Sequence, residues 1–174
     1  VGSPLTAADS VASLAARFID AARRRGRRVA FVGVEDVSPF SGHRALLLGE
    51  QPVHEPSRWP ATLAGKKSLR EQLRRARAKG VVVRRVDPSE LSVGSPLRSR
   101  VRELAEAWLA SRRIEPLQFL VAVEPFHAMH EHRYFVAEQY GKVLAFASTI
   151  PIPAKRGFML EDVLREDSVP NGTV

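Results

Sequence analysis

The chain has 174 residues, 44% of them hydrophobic and 26% charged, with 12 Pro and 11 Gly. That balance suits one globular domain, and it excludes collagen-like, low-complexity and wholly disordered chains. There is no cysteine, so disulfide scaffolds, thiolate zinc sites and cysteine nucleophiles are excluded too.

Taken in chain order, Thr6 to Asp9 is suited to open a helix, with the Thr hydroxyl capping and the acid at the positive end. Val11, Leu14, Ala15, Phe18, Ile19 and Ala22 follow at helical spacing, and Arg23–Arg25 with Gly26 close it. Val29–Gly33 is a short apolar run that reads as a buried strand, and Ala45–Leu48 reads as another. Pro52 to Pro60 is expected to be a loop. Residues 66–79 form a second helix in this reading, and Val81–Val86 a strand after Gly80. Pro96 precedes a third helix that places Leu97, Val101, Leu104, Ala105, Trp108 and Leu109 on one face. Phe119–Val123 reads as a strand. Tyr134–Glu138 and Lys142–Ile150, joined across Tyr140-Gly141, read as a β-hairpin, and Phe158–Leu164 is a further apolar-rich segment. Helices and strands in this order, with one clear hairpin, predict a mixed α/β or α+β sheet domain.

Charge is unevenly placed. Basic residues number 27 against 19 acids, and 22 of the 27 are Arg. Residues 51–120 hold 15 basic and 7 acidic side chains, so their excess equals the whole net charge of +8. Such a field favours polyanions: nucleic acid, an anionic membrane surface or a phosphorylated ligand. Its sharpest part is Gly65–Gly80. Wound as a helix, Lys66, Lys67, Arg70, Arg74 and Arg77 fall within roughly 100° of one another, beside a stripe of Leu69, Leu73 and Ala76. The helix can therefore dock by its leucines and present a cationic ridge to phosphates. The plainer alternative is a solvated face whose Arg stems cover apolar surface.

Other motifs say less. His127, His130 and His132, with Glu124 nearby, lack the spacing of a metal-binding helix, so hydrogen-bonded histidines and no metal are expected. No G-x-S-x-G, G-x-x-x-x-G-K-[ST] or G-x-G-x-x-G pattern occurs, which leaves hydrolase, P-loop and dinucleotide-binding readings unsupported. Asp162 and Arg165 stand three apart. On a helix or tight turn they could meet and hold a zwitterion, the carboxylate for an ammonium and the guanidinium for a carbonyl or phosphate, but spacing alone favours the plainer reading, an ordinary surface ion pair. No stretch approaches the ~18 apolar residues that cross a bilayer, and the N-terminus lacks a secretory layout, so a soluble cytoplasmic protein, or a soluble piece of a larger one, is expected.

In order, Gly65-Lys-Lys67, Ala107-Trp-Leu109, Tyr134–Ala137, Gly141–Phe146, Ile150-Pro151, Glu161–Arg165 and Pro170–Thr173 form a set. Together they resemble the C-terminal domain family of phosphatidylglycerol lysyltransferases, the aminoacyl-phosphatidylglycerol synthases. The resemblance runs from about residue 29 to the end and implies a GNAT-like (acetyltransferase-type) mixed sheet, so that residues 1–174 are expected to be a single domain, the first half of a tandem and truncated at its C-terminal end. It implies transfer of an amino acid from aminoacyl-tRNA to a lipid hydroxyl, at most peripherally at the inner membrane face. Asp162 and Arg165 would then bind the aminoacyl group with Asn171, Gly172 and Thr173, and the basic helix would contact tRNA or lipid phosphate. The acetyltransferase pyrophosphate loop [RQ]-x-x-G-x-[GA] is missing after the Lys142–Ile150 strand, so no acetyl-CoA and no other cofactor is expected. No general base stands out. The alternative function is a non-catalytic module that binds RNA, DNA or an anionic membrane through the same helix.

Overall fold

The computed structural model describes residues 6–40, 42–111 and 123–174. The chain divides into two compact units, Val1–Val53 and His54–Val174. Among the described residues, no helix is long and apolar enough to cross a membrane.

The first unit is built on α1 (Val11–Arg23), which buries Ala15 and Ile19. A short 3-10 turn at Ala8–Ser10 leads into it, so Ser10 and not Thr6 stands at the cap. Neither Val29–Gly33 nor Ala45–Leu48 is a strand here. A strand needs a neighbour to complete its ladder, and these segments have none among the described residues. Phe31 packs by its side chain instead, 6.1 Å from the Phe18 ring and 4.8 Å from that of Phe40. Leu46, Leu47 and Leu48 are exposed.

The second unit opens where a loop is expected. Pro56–Arg58 is a 3-10 turn and α2 (Trp59–Gly65) follows directly, because proline fits the first turn of a helix without losing a hydrogen bond. Lys66 breaks the axis with φ −117° and ψ 82°, and α3 (Lys67–Ala78) starts anew. Next come β1 (Val81–Val86) and α4 (Pro96–Ala110), the latter capped by Ser95, whose Oγ accepts from the Arg98 amide at 3.1 Å. Of the expected strand Phe119–Val123, residues 119–122 lie outside the described residues. The hairpin forms as expected, from β2 (Arg133–Gln139) and β3 (Lys142–Ile152). Tyr140 and Gly141 both have positive φ, 51° and 80°, as its two-residue turn requires. The segment after it is β4 (Gly157–Arg165).

The four strands make one antiparallel sheet in the order β1-β2-β3-β4. The class is mixed α+β, as the sequence predicts. One face carries α4: Val101 and Leu104 pack with Val86, Tyr134, Val136, Phe146 and Leu164. The other carries α3, whose Ala76 packs with Val81, Ala137 and Ala145.

A candidate polar site on the central strands

Strand pairing aligns Val86, Tyr134, Ser148 and Asp162 in one row across the sheet, on the face covered by α4. The row starts apolar and turns polar towards β4. Ser148 is fully buried and donates through Oγ to an Asp162 carboxylate oxygen at 3.2 Å, while accepting from the Asp162 amide at 3.2 Å. The register shifts next to this pair: Ser148 faces Asp162, but Thr149 faces Leu160, which leaves Glu161 as an extra residue. Consecutive strand residues normally point to opposite faces, and a bulge cancels that alternation. Both acids therefore reach the same side, where His132 waits at the start of β2.

His132 is 7% exposed and stacks on Tyr134, the rings 5.7 Å apart and 7° from parallel. Its Nδ1 lies 2.9 Å from the Ala128 carbonyl oxygen and its Nε2 lies 2.6 Å from a Glu161 carboxylate oxygen. A carbonyl oxygen only accepts, so Nδ1 donates to Ala128, and the doubly protonated ring can also donate from Nε2 to an ionised Glu161. Burial pulls its pKa down, but the Ala128 carbonyl and the Glu161 carboxylate outweigh burial and hold it above the ordinary histidine value. Burial raises the Asp162 carboxyl pKa, with Glu161 adding to the rise and the Ser148 bond and His132 opposing it. Burial, then Glu161 and Asp162, push the Tyr134 phenol up to about 12. The Tyr134 hydroxyl is buried without a hydrogen-bond partner among the described residues. A buried hydroxyl left unpaired costs about 1–3 kcal/mol, so its retention asks for an explanation.

The loop that supplies the Ala128 carbonyl is itself pinned. Arg98 on α4 donates to the Leu91 carbonyl at 2.8 Å and lies 4.0 Å over the Phe126 ring. Ala128 takes a left-handed φ of 42°. Chemically, the site sets two carboxyl groups against one imidazole, with the Tyr134 hydroxyl beside them. Such a surplus of acid suits a cation that brings its own N–H donors. Glu161 is its solvent-facing member, and Asp162 lies behind.

Asp162 and Arg165 do not meet. They lie on a strand, not on the helix or turn that would bring them together, and three residues along it they point to opposite faces. Arg165 pairs in register with Ala145, on the α3 face. Asn171, Gly172 and Thr173 gather on that side as well, as a turn seated on α3. Thr173 Oγ1 donates to the Pro170 carbonyl at 2.6 Å, and a Cβ added to Gly172 would come within 2.4 Å of the Gln72 carbonyl oxygen. Gly172 thus serves a backbone-to-backbone approach.

The five cations expected to form the ridge fall into two groups. Arg70 donates to the carbonyls of Leu63 and Ala64, closing the C-terminal end of α2. Arg74 is paired with Glu71 at 3.0 Å. Lys66, Lys67 and Arg77 are exposed and have no such partner among the described residues. Lys66 lies outside the helix. Leu69 and Leu73 are half-buried and Ala76 buried, as the docking stripe predicts. Among the described residues, no group of His, Asp or Glu is placed to hold a metal ion.

Ser148, Tyr134 and the role of His132 are what sequence reasoning missed. One signal was present: Ser148 falls two residues beyond Phe146, at a core position of an otherwise apolar strand. A polar residue there requires a buried partner.

Against known proteins, the family described as phosphatidylglycerol lysyltransferase, C-terminal, matches residues 1–174. Among solved structures, the chain is similar to the C-terminal domain of a protein from Agrobacterium fabrum named as a lysylphosphatidylglycerol synthetase. The TM-score is 0.80 at 22% identity, over 99% of this chain. The chain spans 55% of that one's length. No curated protein matches it.

Proposed function

The chain belongs to the phosphatidylglycerol lysyltransferase C-terminal family, and from that premise we propose that it serves aminoacyl transfer from aminoacyl-tRNA to a lipid headgroup hydroxyl. The observation that carries the reading is the convergence of Glu161, Asp162, His132 and the unpartnered Tyr134 hydroxyl. The α-ammonium of an aminoacyl ester would bring a second positive charge to a cluster of two carboxyl groups and one imidazole, and N–H donors for the carboxyl oxygens that Ser148 and His132 leave open. It enters past Glu161, and its arrival favours the ionised form of Asp162 that burial disfavours.

The ester itself is already activated. In the transfer, the acceptor oxygen bonds to the ester carbonyl carbon, the bond to the tRNA oxygen breaks, and one proton passes from acceptor to leaving oxygen. A protein in this role mainly positions two substrates. Lys67 and Arg77 on α3 are suited to tRNA phosphates, giving affinity without sequence preference and with strong salt dependence. Arg165 and the 170–173 turn lie on that same α3-bearing side, away from the position proposed for the ammonium.

A stable stand-in tests the cluster directly. Titrating L-lysinamide and L-alaninamide into the chain should shift the His132 ring resonances saturably, and Asp162→Asn should abolish the shift. Equal shifts from the N-acetylated amides, which lack the ammonium, would refute the assignment. The exposed α3 cations favour a second reading, a polyanion-binding module in which Asp162 plays no part.

A further inference from the structure

The end of the sheet opposite the β2–β3 turn is uneven. Strand β2 begins at Arg133, opposite Thr149, so Ile150–Ile152 of β3 and Gly157–Met159 of β4 pair only with each other. This two-stranded arm overhangs the sheet. Its Phe158 is 46% exposed and its Met159 38%, and Leu160 at its base is 59% exposed. By register, Phe158 and Leu160 lie on the α3 side of the sheet, and Met159 lies on the other. A lone two-stranded ribbon is marginal in water, and apolar residues on both of its faces make that worse.

Along the sequence, the arm carries charge of one sign. Lys155 and Arg156 stand at its tip, Arg133 lies 3.9 Å over the Phe158 ring, and no acid occurs from Gln139 to Leu160. Glu161, the first acid after it, is turned away to His132. Cations interleaved with exposed apolar groups match the boundary between anionic headgroups and acyl chains. A base-stacking surface would instead present aromatic rings, and here most of the exposed side chains are aliphatic.

We propose that the β3–β4 arm is a membrane-docking element, seating Phe158, Leu160 and Met159 in the interface of an anionic phospholipid bilayer. Arg156 and Arg133 meet the headgroup phosphates. The assignment goes beyond the proposed transfer and stands apart from the Asp162 cluster, so either can fail alone.

Co-sedimentation with vesicles tests it, using phosphatidylcholine alone or with about one third phosphatidylglycerol. The chain should bind the anionic vesicles, and Phe158→Ser with Leu160→Ser should weaken binding roughly 10-fold or more while tRNA affinity stays unchanged. As a second readout that does not depend on the double variant folding, Phe158→Trp should show blue-shifted emission on anionic vesicles and quenching by brominated acyl chains. Undiminished binding by the double variant would overturn the proposal. So would an indole emission of the Phe158→Trp variant that stays unmoved when the protein sediments, or a loss that falls on tRNA instead of on vesicles.

Discussion

At Gly172 the chain leaves no room for a side chain. Its φ is +86°, and the Gln72 backbone stands where a Cβ would be. Gly172→Ala should therefore cost about 2–4 kcal/mol, since a carbonyl held in a helix cannot step aside. Gly94 has nearly the same φ, +84°, but open space around it. Gly94→Ala should cost only about 1 kcal/mol, the backbone term alone. Denaturant midpoints of the two variants check this, and equal losses would mean that the turn does not seat on α3. His132 gives a pH signature. Its folded pKa lies above the unfolded value, so its stabilisation is full below about pH 6.5 and fades as pH rises through the folded value. The wild-type unfolding free energy should decline across that window, and His132→Gln should flatten the decline. An unchanged slope in the variant would place the imidazolium elsewhere.

Elements differ in how far the sequence alone discloses them. Strand β1, the hairpin and α4 were legible because turn chemistry, alternation and a proline–serine helix start all agreed locally. The two expected strands of the first unit were not, because an apolar run looks the same whether a ladder or only a side-chain cluster receives it. Strand β4 shows a subtler limit. Asp162 is singled out in the sequence by the family resemblance alone, and its neighbours in the fold depend on a bulge that turns Glu161 to the same side, which follows from pairing with β3. Helix α3 carries its own test. Arg70 is occupied with the α2 carbonyls, so Arg70→Gln should lower stability by about 1 kcal/mol with little effect on salt dependence. Lys67→Gln with Arg77→Gln should do the reverse, reducing the slope of log affinity against log salt by roughly 1–2. Thermal unfolding and salt titrations of the two variants separate the cases. Equal slopes would mean that α3 does not face the polyanion.

For the whole molecule, three features are laid out on one sheet. The α4 face carries the acidic cluster, the α3 face carries exposed cations, and the overhanging arm carries apolar groups among basic ones. As proposed, they serve an ammonium, a phosphate backbone and a bilayer, the three chemistries that join when an aminoacyl group moves from tRNA to lipid. The central claim is that the chain reads the aminoacyl group and does not merely attract a polyanion. Fluorescence anisotropy of one tRNA, aminoacylated and deacylated, against the wild type and Asp162→Asn from low to physiological salt tests it most directly. Wild type should bind the charged form more tightly, the gap should close in Asp162→Asn, and both proteins should keep the same salt slope. Equal affinity of wild type for the two forms at every salt concentration would contradict the claim.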